Sequence, residues 1–138
     1  MSKPPEKIYI AKTDKEKYEK LEKEGFFEDR NHKDQFLVAM GFGVKNKVHR
    51  SFKERHEFFW RKDLGIEGET LISAVGIYFA YDVDILTDMS KVYGIAEEYA
   101  HAGIDLLYNK MESQQVGTFW KQFEKDIHEI YRSLNLPK

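Results

Sequence analysis

The chain has 138 residues, a mass of 16.4 kDa and a net charge of -2 at pH 7, with 41% apolar and 33% charged residues. This size fits one domain with its own core, and the near-neutral charge gives no argument for a nucleic acid or a membrane as partner. The lack of cysteine excludes disulfides, thiolate metal sites and a cysteine nucleophile. Neither a signal peptide nor an apolar run of roughly 18 residues is evident, so we expect a cytoplasmic protein without a membrane partner.

The N-terminal residues divide into a tail and the start of the domain. Residues 1–6 are polar and contain two prolines, which predicts a flexible tail followed by one domain over residues 7–138. The segment Lys7–Ala11, KIYIA, is short and rich in strand-forming residues, so we expect an edge strand there.

The first helix is predicted from its boundaries. Thr13 and Glu16 have the spacing of a capping box, in which each side chain satisfies a backbone amide at the start of a helix. The helix should continue to about Glu24 and end at Gly25, because glycine readily adopts the left-handed conformation of a helix C-terminus.

A second helix should begin at Asn31 or Asp34, because either side chain can accept a hydrogen bond from the first turn. It continues through an apolar run from Phe36 to Phe42. The preceding pair, Phe26 and Phe27, is expected in the core.

The strongest helix signal lies at Lys91–Met111, with apolar residues at the spacing of one helical face. Gly103 on that face would let another helix approach closely, and Asp88 or Ser90 can cap its start. The opposite, polar face holds Glu97, Glu98, His101, Asp105 and Asn109.

Two further helices complete the predicted fold. The segment Thr70–Tyr81 is apolar on nearly every side, which favours a central buried helix, with a strand as the alternative. A final amphipathic helix follows Gly117. The fold is therefore predicted to be mainly α, a single compact domain of about five helices, with one short N-terminal strand pair left open. The final helix would present Phe119, Trp120, Phe123, Ile127, Ile130, Tyr131 and Leu134.

The segment Lys45–Lys62 is basic and rich in aromatic residues, and we call it the basic stretch. Seven basic and two acidic residues give it a charge of about +5, so the rest of the chain carries about -7. Cations can neutralise phosphates and aromatic rings can stack on unpaired bases, which makes this the best candidate for contact with DNA or a partner. Its secondary structure is predicted only as a loop followed by a short strand or helix near residues 56–61. The candidate residues are Lys45, Lys47, Arg50, Lys53, Arg55, Arg61 and Lys62.

Other interpretations of these residues remain open. The rings of Phe58, Phe59 and Trp60 can equally be core residues, with the charges solvating a loop. The order of strand, helix and helix at the N-terminus also fits a ribbon-helix-helix DNA-binding protein, in which a dimeric ribbon enters the major groove.

The sequence contains no complete catalytic or metal-binding motif. Glu98 and His101 have the spacing used in di-iron bundles, but a second such motif and two further glutamates are missing. Ser73 lacks the glycine elbow of a hydrolase nucleophile. We therefore expect no enzyme activity, no cofactor and no metal, and keep a cryptic hydrolase or nuclease that uses His56, Glu57 or His101 as an alternative.

Four segments, taken in order, resemble a known prokaryotic family. They are KDQFLVAMGFGVKNKV, HEFFWR, TLISAVGIYFAYDVDILTD and IAEEYAHAGIDLLYNKM, within residues 33–111. This order is similar to that of the dnd system-associated protein 4 family, which is encoded beside DNA phosphorothioation genes. The matching segments are structural rather than catalytic, so the resemblance implies a cellular context and no catalytic residues.

The resemblance implies an accessory protein of a system that marks host DNA and restricts invading DNA. The leading hypothesis is a non-catalytic subunit that contacts DNA or larger motor or nuclease subunits through the basic stretch. The alternative is a structural adaptor that binds a protein through the last helix, around Phe119, Trp120 and Phe123. The sequence leaves the oligomeric state open.

Overall fold

The fold is arranged around one long helix. A computed structural model describes residues 3–27, 29–113 and 116–133, except the side chains at 116–120 and 122. The central helix, α4, extends over Met89–Ser113, and Asp88 caps it by accepting a hydrogen bond from the Lys91 N–H at 3.2 Å. Its apolar face is buried as predicted, from Val92 to Leu107.

Helix α2, His32–Lys45, packs directly against α4. Asn31 caps it, since the Asn31 side chain accepts a hydrogen bond from the Asp34 N–H at 2.9 Å. Gly43 and Gly103 lie where the two helices meet, and a Cβ built at either position would fall within 2.2 Å of a backbone oxygen on the other helix. The predicted close approach at Gly103 is thus confirmed, with α2 as the neighbouring helix.

The two strands form a short antiparallel sheet. Strand β1, Lys7–Ala11, pairs with β2, Arg55–Trp60, with Lys7 opposite Trp60 and Ala11 opposite Arg55. The predicted edge strand is confirmed, and its partner comes from the basic stretch. Arg61 also holds the end of the predicted tail, because its N–H donates to the Glu6 oxygen at 2.8 Å and its Nε donates to the Pro5 oxygen at 2.7 Å.

Helix α1, Lys15–Lys23, follows a short 3-10 turn at Lys12–Asp14. The predicted capping box at Thr13 is wrong, because no side chain caps either the turn or the helix. Asp14 is instead fully buried against α4. The helix ends near Gly25, whose φ of 84° is left-handed as expected.

Helix α3, Gly65–Ala80, is not the central buried helix that the sequence predicts. One side is buried and packs on α4, where a Cβ at Gly76 would lie 3.0 Å from Val92, whereas Tyr78 and Phe79 near its C-terminal end are exposed. A 3-10 turn at Val83–Thr87 connects α3 to α4.

Helix α5, Val116–Ser133, packs on α2 and α4. Phe123 lies in the core, with its ring centroid 4.2 Å from that of Phe26.

The described residues therefore form a mainly α-helical domain of five α-helices and one two-stranded sheet around a shared core. Across those same residues, no helix is both long enough and apolar enough to cross a membrane.

Candidate functional site

The basic stretch runs from the end of α2, along α4, into β2. Four of its seven candidate cations form ion pairs within the chain. Arg55 Nη2 lies 2.7 Å from Glu97 Oε1, Arg50 Nη2 lies 3.3 Å from Asp105 Oδ2, and Arg61 Nη1 lies 3.1 Å from Glu69 Oε1. Lys45 pairs with the buried Asp126 on α5. Because these four cations are paired with carboxylates of the same chain, a phosphate would have to displace those carboxylates to bind them.

The other three candidates, Lys47, Lys53 and Lys62, are exposed and make no ion pair among the described residues. Trp60 is 46% exposed, and the ammonium groups of Lys7 and Lys62 lie 4.6 and 5.6 Å from its ring centroid. From the predicted site, three lysines without an ion pair to the described residues and one accessible indole therefore remain.

The remaining aromatic residues of the stretch support the interpretation as core. Phe58 and Phe59 are half-buried and pack against the main cluster. Phe52 is half-buried and lies edge-on to His101, with ring centroids 5.2 Å apart. These rings cannot stack on a base without leaving their packing positions.

The polar face of α4 is covered in part, since its residues from Glu97 to Asp105 are buried or half-buried, whereas Asn109 is exposed. The Glu97 carboxylate is 4% exposed, accepts a hydrogen bond from the Tyr9 N–H at 2.9 Å and pairs with Arg55. Burial raises the pKa of Glu97, although the bonds from Tyr9 and Arg55 oppose the shift. Further along the helix, Asp105 pairs with Lys17, and that hydrogen bond lowers the pKa of Asp105. This face binds β1, α1 and the basic stretch to α4.

Asp14 and His101 form a hydrogen-bonded pair of the kind found in catalytic sites. His101 Nδ1 lies 2.6 Å from Asp14 Oδ2, and Asp14 is fully buried. An aspartate orients a histidine in this way in enzymes with a nucleophilic serine, but those sites also place a hydroxyl against the ring. In the described part of the chain Lys17 pairs with Asp14 and Phe52 lies edge-on to His101. The buried hydroxyl of Tyr18 is near Asp14 but makes no hydrogen bond there, so it is not placed against the His101 ring.

Within the described residues, the side chains predicted for metal binding or for a cryptic hydrolase do not form one cluster. Among the described residues no group of three or more His, Cys, Asp or Glu side chains is placed to hold a metal ion. His56 and Glu57 lie on β2, and Glu57 pairs with Lys7 at 2.8 Å. The ribbon-helix-helix alternative loses its basis, because β1 pairs with β2 of the same chain.

A cavity of about 280 Å³ lies between the sheet and the first turns of α4. It is bordered by Tyr9, Arg55, Phe52 and Glu97, and by Gly94 on the helix. A Cβ at Gly94 would meet no atom within 4 Å, so the helix is open to the cavity at this point.

The most conspicuous surface includes residues from the segment Thr70–Tyr81, which the sequence predicts to be buried. Five of the large apolar residues that are exposed lie at the C-terminal ends of α2 and α3, and we call them the aromatic face. The His49 ring lies edge-on to Phe79 at 5.0 Å, which brings the end of α2 beside the end of α3. The aromatic face consists of Val48, Tyr78, Phe79, Tyr81 and Val83.

Within the aromatic face, Tyr81 is 95% exposed and Val83 is 64% exposed. Asp82 and Asp84 alternate with them, are exposed, and make no ion pair with the described residues. The alternation of carboxylates with apolar residues at 81–84 is the one sequence signal that could have indicated an exposed segment.

The proposed adaptor surface on the last helix is only partly described. Phe119 and Trp120 lie outside the described side chains, whereas Phe123 is buried between Phe26 and Phe42. Phe123 is therefore a core residue and does not belong to a docking surface.

Comparison with known proteins gives no match: no family model, no curated protein and no solved structure matches this chain.

Proposed function

We propose that the protein is a non-catalytic accessory subunit of a prokaryotic DNA phosphorothioation-linked antiphage defence system, and that it acts through protein contacts made by its aromatic face. The observation that carries the proposal is the cluster of exposed apolar side chains around Phe79 and Tyr81. The cellular context rests on the resemblance of the four segments within residues 33–111.

Physical chemistry favours a protein partner at the aromatic face. Monomeric proteins rarely expose large contiguous apolar patches, and those that do commonly bind another protein there. Tyrosine and phenylalanine are enriched at the centres of such interfaces because they bury a large area with few rotatable bonds. The pairing of Arg50, Arg55 and Arg61 within the fold also makes DNA the weaker candidate.

The test is an affinity pull-down of tagged protein from its native cells, divided in two, with nuclease added to one half. We expect a motor or nuclease subunit to be retained in both halves by the wild type and by Ile66→Asn. We expect Tyr81→Asn to lose it in both. Ile66 is a matched control, because it is also exposed but lies on α3 about 18 Å from Tyr78. Equal retention by both variants would refute the role of the aromatic face.

A second candidate is contact with single-stranded nucleic acid at Trp60, which is supported by the two lysines beside its exposed ring. Stacking on the indole would add to phosphate contacts by Lys62 and Lys53. Fluorescence anisotropy with a labelled oligonucleotide should then show affinity that falls steeply with salt and is lost in Trp60→Ala. Affinity that does not change with salt would exclude this candidate.

A further inference from the structure

Two residues at or beside the aromatic face have an unfavourable backbone conformation. Among the described residues, Lys47 and Tyr81 are the non-glycine residues with positive φ, at 57° and 60°. Residues other than Gly, Asn and Asp rarely adopt this left-handed backbone conformation, because their Cβ approaches the following carbonyl oxygen.

Both residues end a helix. Lys47 follows α2, where the Lys47 N–H donates to the Val44 oxygen at 3.1 Å and the Val48 N–H donates to the Gly43 oxygen at 2.9 Å. This is a Schellman motif, in which glycine is the usual residue, and α1 has Gly25 at the corresponding position. Tyr81 likewise ends α3.

Neither side chain gains enough from packing to explain its presence. Tyr81 is 95% exposed and Lys47 is exposed without an ion partner in the described chain. Strained residues of this kind are typical of functional surfaces. Tyr81 belongs to the aromatic face and Lys47 directly precedes Val48 of that face, which indicates that both side chains are used in a contact outside the chain.

The charges indicate which molecule makes that contact. Lys47 precedes Val48 on the α2 side of the aromatic face, and the carboxylates of Asp82 and Asp84 lie on the α3 side. A surface with a cation on one side and carboxylates on the other is complementary to itself when rotated by a two-fold axis.

We propose that the aromatic face binds a second copy of this chain across a two-fold axis. Lys47 of each copy pairs with Asp82 and Asp84 of the other, while Phe79 and Tyr81 pack between them. This inference rests on the proposed function, because the aromatic face would act by forming the dimer to which a defence subunit binds, so that Tyr81→Asn loses both the dimer and the subunit.

The first test is sedimentation equilibrium of the full chain over a range of concentrations. We expect a monomer–dimer equilibrium in the wild type and in Ile66→Asn, and a monomer in Tyr81→Asn. Asparagine tolerates the left-handed conformation, so this change removes the ring without straining the fold. A wild type that stays monomeric up to its solubility limit, or a dimer that persists in Tyr81→Asn, would overturn the proposal.

A charge exchange provides the second test. Lys47→Glu in one chain and Asp82→Lys with Asp84→Lys in another should each weaken the homodimer by at least about tenfold, because like charges then meet twice. Mixing the two variant chains should restore a dimer containing one of each, since both contacts are again between opposite charges. Failure of the mixture to form that dimer would overturn the pairing.

The pull-down separates this inference from the proposed function. If the protein is monomeric and Tyr81→Asn still loses a defence subunit, the second-copy inference is wrong and the proposed function stands. If the charge exchange succeeds but no subunit is retained by the wild type, the dimer stands and the proposed function fails.

Discussion

Replacement of Gly103 by alanine should disrupt the contact between α2 and α4. An added Cβ would lie 1.8 Å from the Ala39 oxygen and 2.7 Å from the Gly43 nitrogen. Both atoms belong to the backbone of α2, so no side-chain rotation can relieve the overlap. The helices would have to separate by about 1.2 Å for the Cβ–oxygen distance to reach 3.0 Å, below which such contacts are essentially never found.

The expected loss of stability follows from two opposing terms. The free-energy cost of overpacking should lie at the upper end of its usual range, about 3 kcal/mol or more, because the overlap is with backbone atoms. Alanine offsets about 1 kcal/mol of this through its higher helix propensity. We therefore expect Gly103→Ala to lower the free energy of unfolding by about 2 kcal/mol or more.

Gly94 provides a control on the same helix. A Cβ at Gly94 has no atom within 4 Å, so Gly94→Ala adds helix propensity without overlap and should raise the free energy of unfolding by about 0.5–1 kcal/mol. Urea denaturation followed by far-UV circular dichroism measures both variants. Equal stability of Gly103→Ala and Gly94→Ala would refute the account of the helix contact.

Three further predictions concern charge and packing. Arg55→Glu should cost about 1–3 kcal/mol, because it removes the ion pair of the buried Glu97, whereas Lys53→Glu at an exposed site should stay within about 0.5 kcal/mol in the same denaturation assay. Equal effects would contradict the division of the basic stretch into paired and free cations. Because the pKa of Glu97 is raised, the folded state keeps the proton on this carboxyl up to a higher pH than the unfolded state does. Stability from this carboxyl should therefore fall as pH rises from the ordinary value of 4.5 through the raised pKa, and Glu97→Gln should remove that slope. The lowered pKa of Asp105 acts in the opposite sense: its contribution is lost as pH falls through that pKa, so Asp105→Asn should reduce sensitivity to acid. A pH series of unfolding curves in which both variants shift in the same direction would refute the assignment. Phe123→Ala should cost about 3–5 kcal/mol, as for a buried ring, and a loss below about 1 kcal/mol would instead place Phe123 on the surface.

Periodicity predicted the helices well where the apolar face was long and regular. The 25 residues of α4 contain the predicted segment Lys91–Met111, and Gly103 indicated a close helix contact before α2 was known to supply it. These features depend on neighbouring residues in the chain, which is why the sequence reveals them.

Glu97 shows what the amphipathic pattern of α4 does not record. Periodicity separates apolar from polar residues, but it does not show that a polar residue is satisfied by distant groups. The partners of Glu97 are Arg55 and the Tyr9 N–H, 42 and 88 residues away in the chain. Burial of a carboxylate therefore depended on tertiary contacts that no local pattern records.

The candidate site was predicted from charge, and it stays a prediction. The number of cations in the basic stretch can be counted from the sequence, but their pairing with Asp105, Glu97 and Glu69 cannot. Conversely, Tyr78 and Phe79 were assigned to the core because apolar character alone does not distinguish a core from a protein interface.

The attachment of the N-terminal elements to α4 has a consequence for synthesis. The hydrogen bonds from Tyr9 to Glu97 and from Lys17 to Asp105 each span 88 residues. Strand β1 and helix α1 therefore cannot reach their final positions until α4 has left the ribosome, although they emerge first. Closing so long a loop before any contact stabilises it slows folding. Until β2 emerges to pair with it, the first strand also has an unpaired edge, and during that interval the nascent chain is most prone to pair with another molecule.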